Sequence, residues 1–120
     1  MDSEIAKMLA KMNLCTTHVD LKKPLISIAE SNCGSGTLML AYLKEFATLG
    51  IDYENRVIVT VSDVNKAYCH MAFLQLAHAG AIAIVQHKDP LTNKYLGEVF
   101  TTPALLENFS KVEKLLDEST

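Results

Sequence analysis

Apolar positions recur along this chain with two different periods. Ile5, Met8, Leu9 and Met12 return at helical spacing and predict a short amphipathic helix over 2–13. Pro24 then opens Leu25-Ile26-Ser27-Ile28-Ala29, a brief apolar run suited to a buried strand. Glu30-Ser31-Asn32-Cys33-Gly34-Ser35-Gly36 reads as a tight, glycine-bearing turn. From Leu38 to Leu49 the pattern is helical again, with Leu40, Leu43, Phe46 and Ala47 on one face. Gly50 stands where a helix can end in the left-handed region without steric penalty. Asp52-Tyr53-Glu54-Asn55 reads as a polar connection, and Val57-Ile58-Val59-Thr60-Val61, every residue β-branched, is the clearest strand.

Asp63 is placed to cap a second long helix over 64–79, which Gly80 closes as Gly50 closes the first. Ala81-Ile82-Ala83-Ile84-Val85 predicts a third strand, running out through His87-Lys88-Asp89-Pro90. A polar loop containing Gly97 leads to Thr101-Thr102-Pro103, and Pro103 suits the first turn of a final helix over 103–118. The order predicts an α/β fold: a mainly parallel sheet of about three strands with right-handed crossovers and flanking helices. The C-terminal ends of the strands, near Glu30, Asp63 and Asp89, then share the edge at which such sheets bind ligands.

Composition narrows the function classes. The 120 residues suit one domain spanning 1–120, with a cofactor-binding-like core over 25–91. A formal net charge of −3, with Arg56 the lone arginine, argues against tight unaided binding to duplex DNA. No apolar run reaches the ~20 residues that span a bilayer. Met1-Asp2-Ser3-Glu4 lacks the architecture of a signal peptide, so the expectation is a cytoplasmic chain with no membrane partner. Cys15, Cys33 and Cys69 are too widely spaced to suggest a disulfide framework or a zinc site.

The chemistry concentrates in three places. Cys33-Gly34-Ser35-Gly36 lets the backbone pass close to a ligand and aims helix-start N–H groups at it. Asp63, after the second strand, can accept hydrogen bonds from ribose hydroxyls, and Asp89, after the third, falls near where an adenine amino group would lie. Each has a plainer explanation: Asp63 as an N-cap, Asp89 before Pro90 as a turn pair, and Cys33 as a small buried side chain. His70 and His78, two turns apart on the second long helix, read as surface or half-buried residues rather than metal ligands, and Lys22-Lys23 as a solvated pair.

In this order the motifs resemble the S-adenosylmethionine-binding half of adenine-specific DNA methyltransferases, especially those of restriction systems, plasmids and phages. The family's Asp/Glu-Pro-x-Cys-Gly-Ser-Gly loop is matched by Glu30-Ser31-Asn32-Cys33-Gly34-Ser35-Gly36, with Ser31 in place of the proline. Its Asp-Ile-Asp element is matched by Asp63-Val64-Asn65 ahead of Met71-Ala72-Phe73-Leu74, and its Gly-Asp-Ser-Leu stretch by Lys88-Asp89-Pro90-Leu91. The likeness runs over residues 4–103 and implies a truncated Rossmann-like methyltransferase fold. It assigns cofactor binding to Glu30, Cys33, Gly34, Ser35, Gly36, Asp63, Val64 and Asp89. The family's catalytic Asn-Pro-Pro-Tyr has no counterpart, because Pro24, Pro90 and Pro103 are isolated, and the Phe-x-Thr-Pro lid over the cofactor is missing before the first helix.

A methyltransferase must extrude a base into a pocket, and the resemblance implies that this chain lacks the parts to do so. It implies S-adenosylmethionine as the ligand, either retained through Glu30, Asp63 and Asp89 or lost with the lid. In the family fold the first strand is central; here residues 25–29 are expected at an edge, to be covered by the helix from Pro103, a second copy or another protein. The expectation is a catalytically silent accessory subunit of a DNA-processing complex of a mobile element, with a polymerase, primase or helicase partner in replication or priming. The alternative is the cofactor-binding part of a split adenine methyltransferase in a restriction–modification system. A nucleotide-sensing regulator is a third reading.

Overall fold

The structure, a computed structural model, describes residues 4, 25–111, 113 and 114. The helix expected over 2–13 lies outside the described residues except for Glu4, as do residue 112 and the last residues of the helix expected over 103–118. The described chain runs β1 (Ile26–Ser31), α1 (Thr37–Thr48), α2 (Tyr53–Arg56), β2 (Val57–Asp63), α3 (Lys66–His78), β3 (Ile82–Lys88), β4 (Tyr95–Thr101) and α4 (Pro103–Glu107). The strands form one sheet in the order β1-β2-β3-β4. β1, β2 and β3 are parallel, and β4 returns antiparallel on β3. The result is an α/β architecture with a mostly parallel open sheet, compatible with a Rossmann-like fold.

Strand order and crossover handedness decide where the helices lie. Two successive right-handed crossovers stepping the same way across a sheet put both helices on one face. The main core shows this arrangement. Val57, Val59, Val61, Ala83 and Val85 of the sheet pack with Met39, Leu43 and Phe46 of α1 and with Cys69, Ala72 and Leu76 of α3. Phe46 is fully buried and is the largest such side chain. On the opposite face Ile58 and Ile82 meet Leu25 and Leu105 of α4.

Thr102 joins the two faces. It is fully buried, its hydroxyl donates to the Ala81 carbonyl (2.6 Å) and accepts from the Ala83 amide (3.0 Å). Its own amide donates to the Ala83 carbonyl (3.0 Å), so the β4–α4 junction is held to the start of β3.

The structure corrects four sequence expectations. The sheet has four strands, because 95–101, expected as loop, forms β4. Residues 52–55, expected as a plain connection, coil into the single turn α2. The second long helix starts at Lys66, and its cap is Asn65, whose side chain accepts from the Tyr68 amide (3.1 Å), so Asp63 is not the N-cap. The final helix, expected without interruption from 103, is broken at Asn108. Among the described residues β1 pairs with β2 alone, which puts it at an edge as expected. α4 packs against the sheet face rather than covering that edge. No helix among the described residues is long and apolar enough to cross a membrane.

Candidate functional site

β1 delivers the chain to the glycine loop, and three residues there take positive φ: Asn32 at 67°, Gly34 at 57° and Gly36 at 92°. The two glycines have different constraints. A β-carbon on Gly36 would sit 3.3 Å from the Ala72 backbone, so glycine is needed where the loop passes against α3. A β-carbon on Gly34 would meet nothing within 4 Å, so that side of the loop faces open space. The loop closes through Gly36 N–H donating to the Cys33 carbonyl (3.0 Å), and Cys33 N–H extends the β1–β2 pairing to the Ser62 carbonyl (2.9 Å). Gln75 of α3 donates to the Ser35 carbonyl (2.6 Å), and the Ser35 and Thr37 hydroxyls lie 3.0 Å apart.

Asp63 is central to this arrangement. It is buried at the end of β2. Its Oδ2 accepts from the Gly34 amide (2.9 Å) and its Oδ1 from the Asn65 amide (2.8 Å). One carboxylate thus ties the glycine loop to the start of α3, and each of its oxygens already has a backbone donor. Charge-assisted bonds of this kind are about twice as strong as neutral ones. The sequence reading gave this carboxylate either to a ribose or to a helix cap; in the fold it holds the loop down.

The remaining candidates divide. Glu30, Cys33, Gly34 and Ser35, together with Asn32 and Thr37, line a cleft of about 200 Å³ at the C-terminal end of β1. Burial raises the Glu30 carboxyl above its ordinary range. The Cys33 thiol is pushed up to about 12, first by burial and then by the charge of Asp63, so it is a packed side chain and not a thiolate nucleophile. Cys69, its thiol also raised by burial, donates to the Asp63 carbonyl at 3.4 Å. Val64 is exposed, and its carbonyl accepts from His87 Nε2 (2.8 Å), which fixes the proton on that nitrogen.

Asp89 opens the β3–β4 hairpin turn rather than lining the cleft. Its amide donates to the Lys94 carbonyl (2.9 Å), its carbonyl accepts from Asn93 (2.8 Å), and its Oδ1 accepts from Leu91 N–H (2.9 Å). The plain reading of Asp89-Pro90 as a turn pair therefore accounts for its bonds. The fold brings Glu30, the glycine loop and Asp63 together and places Asp89 in a separate hairpin.

Sequence reasoning missed a second cavity, of about 430 Å³, between α3 and the β3–β4 hairpin. Lys66 and His70 line it from α3, His87 from β3, and Leu96, Glu98 and Phe100 from β4. The usable signal was the spacing of Lys66 and His70, four residues apart and so on one helical face; without β4 that face has no opposing wall. Among the described residues no three His, Cys, Asp or Glu side chains gather as a metal site requires. A scan against protein-family models gives no match, and neither does a search of curated proteins.

Proposed function

We propose that this chain is a methyltransferase-like protein that does not itself transfer methyl groups and serves as an accessory subunit of a DNA-processing complex. The observation that carries this reading is the state of Asp63. In a working nucleoside cradle the acid after β2 offers its oxygens to ribose hydroxyls. Here both oxygens hold backbone amides of the chain itself. Each oxygen keeps a second lone pair, but Asp63 is buried and does not line the cleft at the glycine loop, which leaves a nucleoside little access to it. The loop has the sequence of a cofactor site, Cys33-Gly34-Ser35-Gly36, while its bonding is spent on the fold.

The setting proposed is cytoplasmic and within a mobile element, with replication or priming as the process and a polymerase, primase or helicase as the partner. The motif order Glu30…Gly36, Asp63-Val64-Asn65 and Lys88-Asp89-Pro90-Leu91 supports it through its resemblance to plasmid and phage methyltransferases. The acidic balance favours contact through protein over direct contact with duplex DNA. A pull-down from the native host tests this: recovery of a polymerase, primase or helicase supports it, and recovery of no DNA-processing protein overturns it.

One observation favours a second reading, the S-adenosylmethionine-binding part of a split adenine methyltransferase. The open space beside Gly34 and the cleft above Glu30 leave room for a ligand that need not displace Asp63. Calorimetry with S-adenosylmethionine separates the two. A folded protein that gives no heat supports the silent subunit; saturable binding that Asp63→Ala abolishes supports the enzyme fragment.

A further inference from the structure

The cavity between α3 and the β3–β4 hairpin is chemically unlike the glycine-loop cleft, and the geometry points to it as a separate binding site for a nucleoside phosphate. Its volume of about 430 Å³ falls within the few hundred Å³ of ordinary small-molecule sites. Three kinds of group line it, and each matches one part of such a ligand.

The nitrogen-bearing side comes from α3 and β3. Lys66 is the first residue of a thirteen-residue helix with no acidic residue in its first turn, and His70 lies one turn further along the same face. His87 faces them from β3. Its Nε2 is held by the Val64 carbonyl (2.8 Å), which fixes the ring and leaves Nδ1 as the second nitrogen. Gly97 of β4 lies against that nitrogen: a β-carbon at 97 would come within 2.6 Å of Nδ1. Glycine is thus the residue that lets β4 pass this close to Nδ1 without a side chain against it. The Lys66 ammonium and the His70 ring suit a phosphoryl group, whose oxygens accept several hydrogen bonds at once, while His87 Nδ1, with the ring proton held on Nε2, accepts from a sugar hydroxyl or an exocyclic amine.

The apolar floor is Phe100 with Leu96 beside it. Phe100 packs against the core and contacts the rings of Phe73 (centroids 5.8 Å apart) and His70 (5.3 Å, T-shaped), which restrict its position. A fixed aromatic face suits a nucleobase. Glu98, the one carboxylate of the lining, supplies an acceptor for sugar hydroxyls. Inorganic phosphate alone would use Lys66 and His70 and neglect the Phe100 ring, and a bare nucleoside would do the reverse.

The same chemistry is offered by a free mononucleotide and by a nucleotide within a single strand, so the test has both arms. Histidine ring signals of the whole chain are followed by NMR while AMP, adenosine, inorganic phosphate or a dT tetramer is added. The expected result is saturable shifts of His70 and His87 with AMP or the tetramer, and about tenfold weaker binding of adenosine and of phosphate. Stronger binding of AMP supports a free nucleotide, and stronger binding of the tetramer supports a strand. Lys66→Ala, an exposed change that leaves the core alone, weakens binding about tenfold, and Gly97→Ala removes the His87 response by covering Nδ1. Absence of saturable shifts overturns the proposal, as do shifts that survive both substitutions. Shifts confined to the Gly34 and Ser35 amides overturn it while favouring a working cofactor cradle, so the two sites stand or fall separately.

Discussion

The glycine loop and the α3–hairpin cavity occupy the same face of one sheet, yet they use their polar groups in opposite ways. In the loop, Asp63 accepts from Gly34 and Asn65, Gln75 donates to Ser35, and Cys33 pairs with Ser62. These groups bond one another. In the cavity, Lys66, His70 and His87 face an open volume across from Glu98, and the bond from His87 Nε2 to the Val64 carbonyl orients that ring. The comparison teaches that a ligand-like sequence motif and a ligand-ready set of groups need not coincide. Hydrogen bonds that hold a loop in place are unavailable to a ligand unless the ligand exceeds their strength.

Substitution of Asp63 is expected to have the largest effect. Asp63→Ala takes a buried carboxylate away from the part-buried amides of Gly34 and Asn65, at a cost of about 3 kcal/mol for the pair of bonds. Urea unfolding should show a lower midpoint with an unchanged slope. Thr102→Val comes next. It leaves the Ala83 amide and Ala81 carbonyl without their hydroxyl partner, costs about 2 kcal/mol, and should speed amide exchange in β4 more than in the glycine loop. An equal effect in both regions would erase the contrast drawn between them.

The two loop glycines sharpen it further. Gly36→Ala combines a left-handed backbone with the approach to Ala72 and should cost about 2 kcal/mol, against about 1 kcal/mol for Gly34→Ala in open space. Thermal melts that rank them the other way would show that the loop packs differently against α3. The smallest effect belongs to Glu30. Its carboxyl is raised by burial, so the folded state takes up a proton at higher pH than the unfolded chain. Stability should therefore rise as pH falls through the raised folded value toward the ordinary glutamate range, and level off below it. Glu30→Gln should flatten that rise when melting is followed against pH.

Much of this fold is legible in the sequence where local preference and burial agree. Val57–Val61 reads as a strand because five β-branched residues leave no helical alternative, and it is the most buried strand. Gly50 and Gly80 read as helix ends and take φ of 81° and 74°. β4 is missed because most of its residues are exposed. An unburied strand has no alternation of apolar and polar residues to reveal it, and only Tyr95 and Val99-Phe100-Thr101 carry β preference. The cap is misassigned because Asp63 and Asn65 both precede the helix, and spacing does not say which oxygen meets Tyr68. The cavity that His70 and His87 line has its opposing wall in β4 and so was hidden with it. Asp63 stands out in the sequence as a carboxylate at a strand end, but its bond to Gly34 joins residues far apart in the chain, which periodicity cannot show.

Amide hydrogen exchange at Gly34, read by NMR with and without saturating S-adenosylmethionine, tests the central claim most directly. A latch closed by Asp63 predicts a Gly34 amide that is protected in the free protein and unchanged by the added compound. An amide that exchanges freely on its own and becomes protected only when S-adenosylmethionine is present would mean that the loop waits for its cofactor, and the account of a self-bonded cradle would be wrong.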